Sequence, residues 1–488
     1  LMNLSVSSMC RITGLVLVVI GVSMLPSILV SVIYDGPSVF MPFIYTMVIT
    51  VILGLSLTKF FIHDSFRLKV RDGFLIVTFC WLLSCFIGAV PFMVTGAIPN
   101  LADAFFESCS GFSTTGSSIL NDIEALPKGI LFWRSFTHWI GGLGILVITI
   151  ALMPSLGIGG QNIAVSETPG PALDKITPKM SDTAKTLLII YMLFTVIETM
   201  LLMGGGMDLF DALIHTFGTV GTGGFSNYNA SVAHFDSTYI RIVITAFMFL
   251  CGVNFNLFYF SVRRGPKVFF EDSEFKLYLM FFGGTAIFLF SILMISNTYG
   301  SFGEAAVDSA FQTASILTTT GYASADYEAW PIVCQMAILL LMFMGGCSSS
   351  TSGGIKIVRI YIILQLIRRG VSTRLHPNVV ENIKLNGKTM PSDTVSAIAN
   401  HMFLYIAMIF AGAFIISFEN TDLMTCFSSV ITCLGNIGPG FGSIGPTENF
   451  SAFSDLSKYL LSIYMIAGRL ELYTLFILLT PKFWNPDH

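Results

Sequence analysis

Apolar residues run through this chain in blocks long enough to cross a lipid bilayer, which takes about 20 residues of helix. Ten such blocks can be read, at roughly 12–34, 40–62, 74–96, 131–153, 184–205, 237–261, 275–297, 331–367, 395–417 and 456–480. The first of them, Ile12 to Ile33, outruns a signal-peptide core and lacks a small-residue cleavage pattern, so it is expected as a retained span. The last eight bracket four shorter apolar stretches in pairs. Those stretches, such as Leu101–Ser113, cannot cross and read as re-entrant.

Each short stretch runs into a glycine turn. Aligned on one glycine apiece, the turns are Thr114-Thr115-Gly116, Thr219-Val220-Gly221, Thr319-Thr320-Gly321 and Asn436-Ile437-Gly438. Thirteen residues earlier stand Asp103, Asp208 and Asp308, with Thr425 in the fourth copy. One Thr-x-Gly is common by chance; four at spacings of 105, 100 and 117 residues indicate an internal repeat. Glycine adopts backbone angles closed to other residues. A turn of this kind can direct its carbonyl oxygens inward, where they replace the water around a dehydrated cation. Two spans separate each turn from the next, so all four open on one membrane face. The expected fold is therefore an all-α integral membrane protein. It has four pseudo-repeats of helix, pore loop and helix around one central pore, preceded by two extra N-terminal spans. The segments are 1–70 for the extra spans, then 71–180, 181–270, 271–390 and 391–488 for the repeats.

Composition agrees with a membrane chain. Of 488 residues, 54% are hydrophobic and 11% charged, with a mean hydropathy of +0.77; soluble proteins carry roughly 25% charged residues. The net charge of −4 becomes informative only when divided by side. On the turn side the basic residues are Lys128, Arg134, Arg241 and Lys458, and acids predominate. Lysine and arginine excess marks the cytoplasmic face, so the turns are expected to face outward. Asp122, Glu124, Asp326 and Glu328 would then concentrate cations at the mouth, unless they are simply solvated loop residues. Most of the nine cysteines lie in apolar runs without metal-site spacing and read as small packing residues.

Two features interrupt the spans. From Pro331 to Met344 there are only fourteen residues, about 21 Å of helix. Then comes Gly345-Gly346-Cys347-Ser348-Ser349-Ser350-Thr351-Ser352-Gly353-Gly354, before an apolar run broken by Lys356 and Arg359. Such backbone survives at membrane depth only when shielded by protein or lining water. It reads as a flexible gate below the turns, the alternative being a cytoplasmic turn. Arg469 lies well inside the last span and must face a cavity or a partner. Projecting towards the pore axis, it would raise a barrier to cations or hold the glycine-serine loop through carbonyl hydrogen bonds. The alternative is a pair with another helix, for instance with Glu198; Glu471 is badly placed to reach the arginine.

Catalytic signals are weak. There is no HExxH or GxSxG, and Gly387-Lys388-Thr389 lacks the glycine a phosphate loop needs at position 382. His138 and His215 read as packing or hydrogen-bonding residues. No enzyme activity and no organic cofactor are expected. The run Arg368-Arg369 to Arg374 reads as a membrane-surface anchor or a docking surface for a cytoplasmic protein, not for nucleic acid. Two rivals remain: a coupled secondary transporter with broken helices, and a membrane enzyme.

These features together resemble the superfamily of potassium transporters that contains TrkH and KtrB. Phe132-Trp133-Arg134-Ser135-Phe136-Thr137-His138-Trp139-Ile140-Gly141-Gly142-Leu143-Gly144 and Ala467-Gly468-Arg469-Leu470-Glu471 resemble the TrkH branch, as do the two N-terminal spans that KtrB lacks. The resemblance implies K+ as the transported ion, a bacterial inner membrane with its lipid, and a homodimer whose protomers each hold a pore. It also implies a TrkA-type cytoplasmic nucleotide-binding regulator. The fourth turn lacks threonine and no repeat has a full TVGYG, which suggests weaker rejection of sodium than in tetrameric channels.

Overall fold

The structure, a computed structural model, describes residues 6–60, 70–144, 180–377, 381–470 and 472–484. Residues 145–153 of the span expected at 131–153, and Glu471, lie outside those residues. Helices α1 (Val6–Ser23), α2 (Leu25–Tyr34) and α3 (Pro37–Phe60) form the N-terminal pair of spans, α1 and α2 making a single crossing. Gly14 and Gly54 let α1 and α3 approach until their backbones touch; a Cβ on either would meet the other's carbonyl at 2.6 Å. Such close crossings are how apolar helices associate in lipid, where no hydrophobic drive separates them from solvent.

Four repeats follow. Each opens with a span: α4 (Val70–Val94), α7 (Met180–Gly204), α11 (Ser273–Ile295) and α15 (Ser392–Ile416). Each span is followed by a short helix: α5 (Leu101–Phe112), α8 (Leu209–Val220), α12 (Phe302–Leu317) and α16 (Leu423–Gly435). At 12 to 16 residues these are about 18–24 Å long and do not cross a bilayer. They are buried at the centre. Asn100, Asp208 and Asp422 cap three of them by accepting the amides of Ala102, Asp211 and Thr425.

The helices that close the repeats are the irregular ones. In the first repeat α6 spans Lys128–Leu143. The stretch expected as a continuous span at 237–261 is instead α9 (Thr238–Cys251) and α10 (Phe255–Arg264), meeting at 88°. Gly252 accepts the Cys347 amide there and Phe255 donates to Ser349, so the glycine-serine loop docks at the bend. In the third repeat that loop separates α13 (Ile332–Leu341) from α14 (Ile357–Leu375). In the fourth, α17 (Asp455–Leu470) and α18 (Leu472–Leu479) are distinct helices, where one span was expected at 456–480. Outside the helices, Lys384–Leu385 and Lys388–Thr389 pair as a hairpin across Asn386-Gly387. Both turn residues have positive φ, as this tight turn demands. The Gly387-Lys388-Thr389 run belongs to that hairpin, one turn residue and the strand after it.

Candidate ion pathway

The C-terminal ends of α5, α8, α12 and α16 are built alike. Past each helix one residue turns into the left-handed region: Thr114 (φ 56°), Thr222 (φ 54°), Thr319 (φ 56°) and Asn436 (φ 54°). The next amide reaches back five residues: Thr115 to Ser110, Gly223 to Gly218, Thr320 to Ser315 and Ile437 to Thr432, at 2.8–2.9 Å. This closure normally takes glycine or asparagine at the left-handed position. A β-branched threonine there is an outlier, and holding it costs on the order of 1–3 kcal/mol that the surroundings must supply. One residue further, Gly116, Gly224, Gly321 and Gly438 again have positive φ, between 79° and 103°.

These four glycines meet in a closed ring. A Cβ on Gly116 would run into the carbonyl oxygen of Gly223, one on Gly224 into that of Thr320, one on Gly321 into that of Ile437, and one on Gly438 into that of Thr115. Each loop thus lays one carbonyl against the next loop's glycine until the fourth returns to the first. All four glycines also line a cavity of about 90 Å³ on one side of the ring, whose wall includes Glu448.

Thr114, Thr115, Gly116, Thr319, Thr320, Gly321, Asn436, Ile437 and Gly438 lie in three of these turns, at the positions aligned in the sequence. The second loop differs by three residues. Thr219 and Val220 are buried in the last turn of α8, and Gly221 caps it with φ −74°; Thr222-Gly223-Gly224 takes the place expected for Thr219-Val220-Gly221. The segment carries Thr-x-Gly in both frames, and the helix end decides between them. With the shift, Asp211 replaces Asp208 in the position thirteen before the glycine. Asp211 accepts Tyr228 Oη and Asn227 Nδ2, Asp308 accepts Ser324 Oγ, and Thr425 Oγ1 accepts the Ser443 amide. The same position therefore holds the strand leaving the glycine in three repeats.

In the first repeat Glu107 takes over that task, and it was missed in the sequence. Arg134, counted there as an outer charge, is only 2% exposed and pairs with Glu107 at 2.5 Å. Lys458 and Arg241 likewise pair with Asp103 and Asp308. Asp122 and Glu124 are tied to Asn229, and Glu328 accepts the Gly442 amide.

On the other side of the ring lies the loop Gly345–Gly354. Its ends are joined by the amide of Gly345 to Ile355 and that of Ile357 to Gly346. Gly353 donates its amide to Thr319 Oγ1 at 2.7 Å. Arg469 donates to the carbonyls of Thr351 (2.6 Å), Gly141 and Gly142 (both 2.7 Å). Those bonds match the loop-anchoring reading; Glu198 is buried on α7 and its oxygens accept no hydrogen bond among the described residues. Two loop contacts were not foreseen. Lys356 Nζ donates to Ser352 O. Glu274 accepts the Ser348 amide and hydroxyl and the Val358 amide, clamping the loop to the start of α14. Lys356 was visible in the sequence as a cation inside an apolar run, whereas Glu274 stands beside the polar edge of a span. A second cavity, beneath the loop, is walled by Lys356, Arg359, His401, Tyr405 and Arg469.

A polytopic all-α membrane protein whose four glycine turns close one ring of main-chain oxygens, with the loop Gly345–Gly354 packed against it, is thus defined. The chain belongs to the TrkH family of cation transport proteins, whose family model matches residues 39–485. It is 36% identical over 486 residues to the Trk system potassium uptake protein TrkH of Vibrio parahaemolyticus, covering 98% of this chain and 99% of the relative. The TrkH of Escherichia coli K12 is 36% identical, over 97% and 98% of the two chains, and the TrkG of that strain 34%, over 98% of each. The crystal structure of the potassium transporter TrkH from Vibrio parahaemolyticus superposes with a TM-score of 0.88 at 34% identity, covering 99% of this chain and all of that one.

Proposed function

We propose that the protein is a channel-like potassium-uptake subunit, in which the four-loop ring selects K+ and the loop Gly345–Gly354 gates it. The observation that carries this reading is the closed cycle of carbonyls from Thr115, Gly223, Thr320 and Ile437. Main-chain oxygens arranged around one axis substitute for the hydration shell of a monovalent cation. The four short helices end at the ring, so their C-terminal partial negative charges face the ion. Below it, Arg469 and Lys356 place positive charge in the path while tethering the plug, which makes the arrangement a closed one. The charge distribution favours an inner-membrane orientation with the ring towards the periplasm. The family resemblance favours two copies and a TrkA-type cytoplasmic nucleotide-binding regulator. The exposed Arg368, Arg369 and Arg374 offer that regulator a surface.

The test is cation flux in proteoliposomes. K+ flux with no second solute, lost in selectivity when Gly321→Ala drives a Cβ into Ile437 O, is the expected result. Flux that requires a co-transported ion would favour the coupled carrier. An unchanged K+/Na+ permeability ratio in a folded Gly321→Ala protein would remove the ring from the mechanism.

A further inference from the structure

Behind the ring, one buried ion pair spans two of its loops. Glu107, on α5, is fully buried and accepts the Ser118 hydroxyl at 2.9 Å and the Ile119 amide at 3.0 Å, both on the strand leaving Gly116. Its Oε1 lies 2.5 Å from Arg134 Nε. Arg134 in turn donates from Nη1 to the Ser226 carbonyl at 2.9 Å, and its guanidinium carbon sits 3.5 Å from the centre of the Phe225 ring. Ser118 and Ser226 are equivalent, each two residues beyond the ring glycine. One carboxylate–guanidinium unit therefore fixes the spacing between loops 1 and 2 at matching depth. In the third loop Asp308 holds Ser324 one residue further along, and the fourth loop is held at Phe441 and Gly442.

We propose that the Glu107–Arg134 pair is a positioning unit that sets K+ over Na+ discrimination, an inference that rests on the ring being the filter. Selectivity in a carbonyl ring depends on how many oxygens reach the ion and how firmly they are held. A planar guanidinium bonded on two edges and stacked on an aromatic ring is a rigid spacer. The pair also neutralises itself. Arg134 forms part of the wall of the outer cavity, so without Glu107 it would present a bare positive charge at the mouth.

Two readouts separate positioning from mere stability. In proteoliposomes, Glu107→Gln should lower the K+/Na+ permeability ratio about tenfold, the scale of one charge-assisted hydrogen bond, and raise the K+ concentration for half-maximal flux. Glu107→Gln with Arg134→Gln removes the bare charge. Half-maximal flux then returns towards the wild-type concentration while the permeability ratio stays low. A folded double variant with wild-type permeability ratio overturns the proposal. Should neither Gln variant fold, Phe225→Leu keeps the ion pair and removes the stacked ring; a lowered ratio supports the proposal and an unchanged one overturns it. Gly321→Ala run alongside tells the two readings apart. If it shifts the ratio and the pair variants do not, only the positioning role fails; if it does not, the filter reading fails first.

Discussion

Gly353 and Thr319 are joined directly, amide to hydroxyl, across 2.7 Å. A residue near the end of the loop Gly345–Gly354 thus bonds to one of the three left-handed threonines beside the ring, which links the proposed gate to the proposed filter. Thr319→Val keeps the shape and the β-branch but removes the acceptor. A buried amide left unpaired costs about 1–3 kcal/mol, borne by the closed arrangement alone. K+ flux through proteoliposomes should rise several-fold at unchanged expression. Flux at the wild-type level would show that the plug is held elsewhere.

Arg469 gives the loop Gly345–Gly354 a further attachment. Three carbonyls from two parts of the chain converge on one guanidinium, at the C-terminal end of α6 and in the loop. Hydrogen bonds to a charged group contribute roughly 1.5–3 kcal/mol each. Arg469→Gln should raise flux, both by freeing Thr351 and by lowering a positive barrier on the axis. Reduced flux with poor folding would assign the arginine to structure instead. The measurement is single-protein flux normalised to folded protein.

The register of the second loop gives a sharper comparison. Gly224→Ala forces a Cβ into Thr320 O at φ +79° and should collapse ion discrimination. Val220→Ala removes buried methyl groups at the end of α8 and should cost stability, about 2 kcal/mol, with the permeability ratio unchanged. The reverse pattern would restore the frame Thr219-Val220-Gly221.

Much of this pathway could be read from residue pattern because its parts are periodic or chemically odd. The four glycine turns recur, a glycine-serine run interrupts an apolar block, and Arg469 is a cation set deep inside a span. What stayed hidden depends on contacts between distant segments. Thr219-Val220-Gly221 and Thr222-Gly223-Gly224 are equivalent as words; only the reach of the Gly223 amide back to Gly218 shows where the helix stops. Arg134 looked like an outer-loop charge because its partner Glu107 is 27 residues away on another helix. The bend at Gly252 is not marked in its own sequence, and the loop that docks there, through the Cys347 amide, lies nearly a hundred residues on. Spans α4, α7, α11 and α15 were legible because lipid sets their length, while the closing helices follow the pore.

Acid should weaken the fourth repeat in part through the cap at Asp422. Asp422 precedes α16 and accepts both the hydroxyl and the amide of Thr425. Those bonds, the hydroxyl first, hold its carboxyl below the ordinary value of 3.8. A group depressed in the folded state stabilises at pH above its unfolded value, and that contribution disappears as pH falls through the folded value. Thermal stability should therefore be level from neutrality down to about pH 5 and decline below about pH 4. Asn caps helices as well as Asp does, so Asp422→Asn keeps the cap and removes its titration. The variant should match wild type near neutrality and lose less on acidification. Part of the slope should remain, because Glu419 is also held low: burial raises its carboxyl, but bonds from Ser454 and Ser457 outweigh that. Melting curves of the two proteins from pH 7 to 3 check this, and parallel acid slopes would exclude Asp422 as a source.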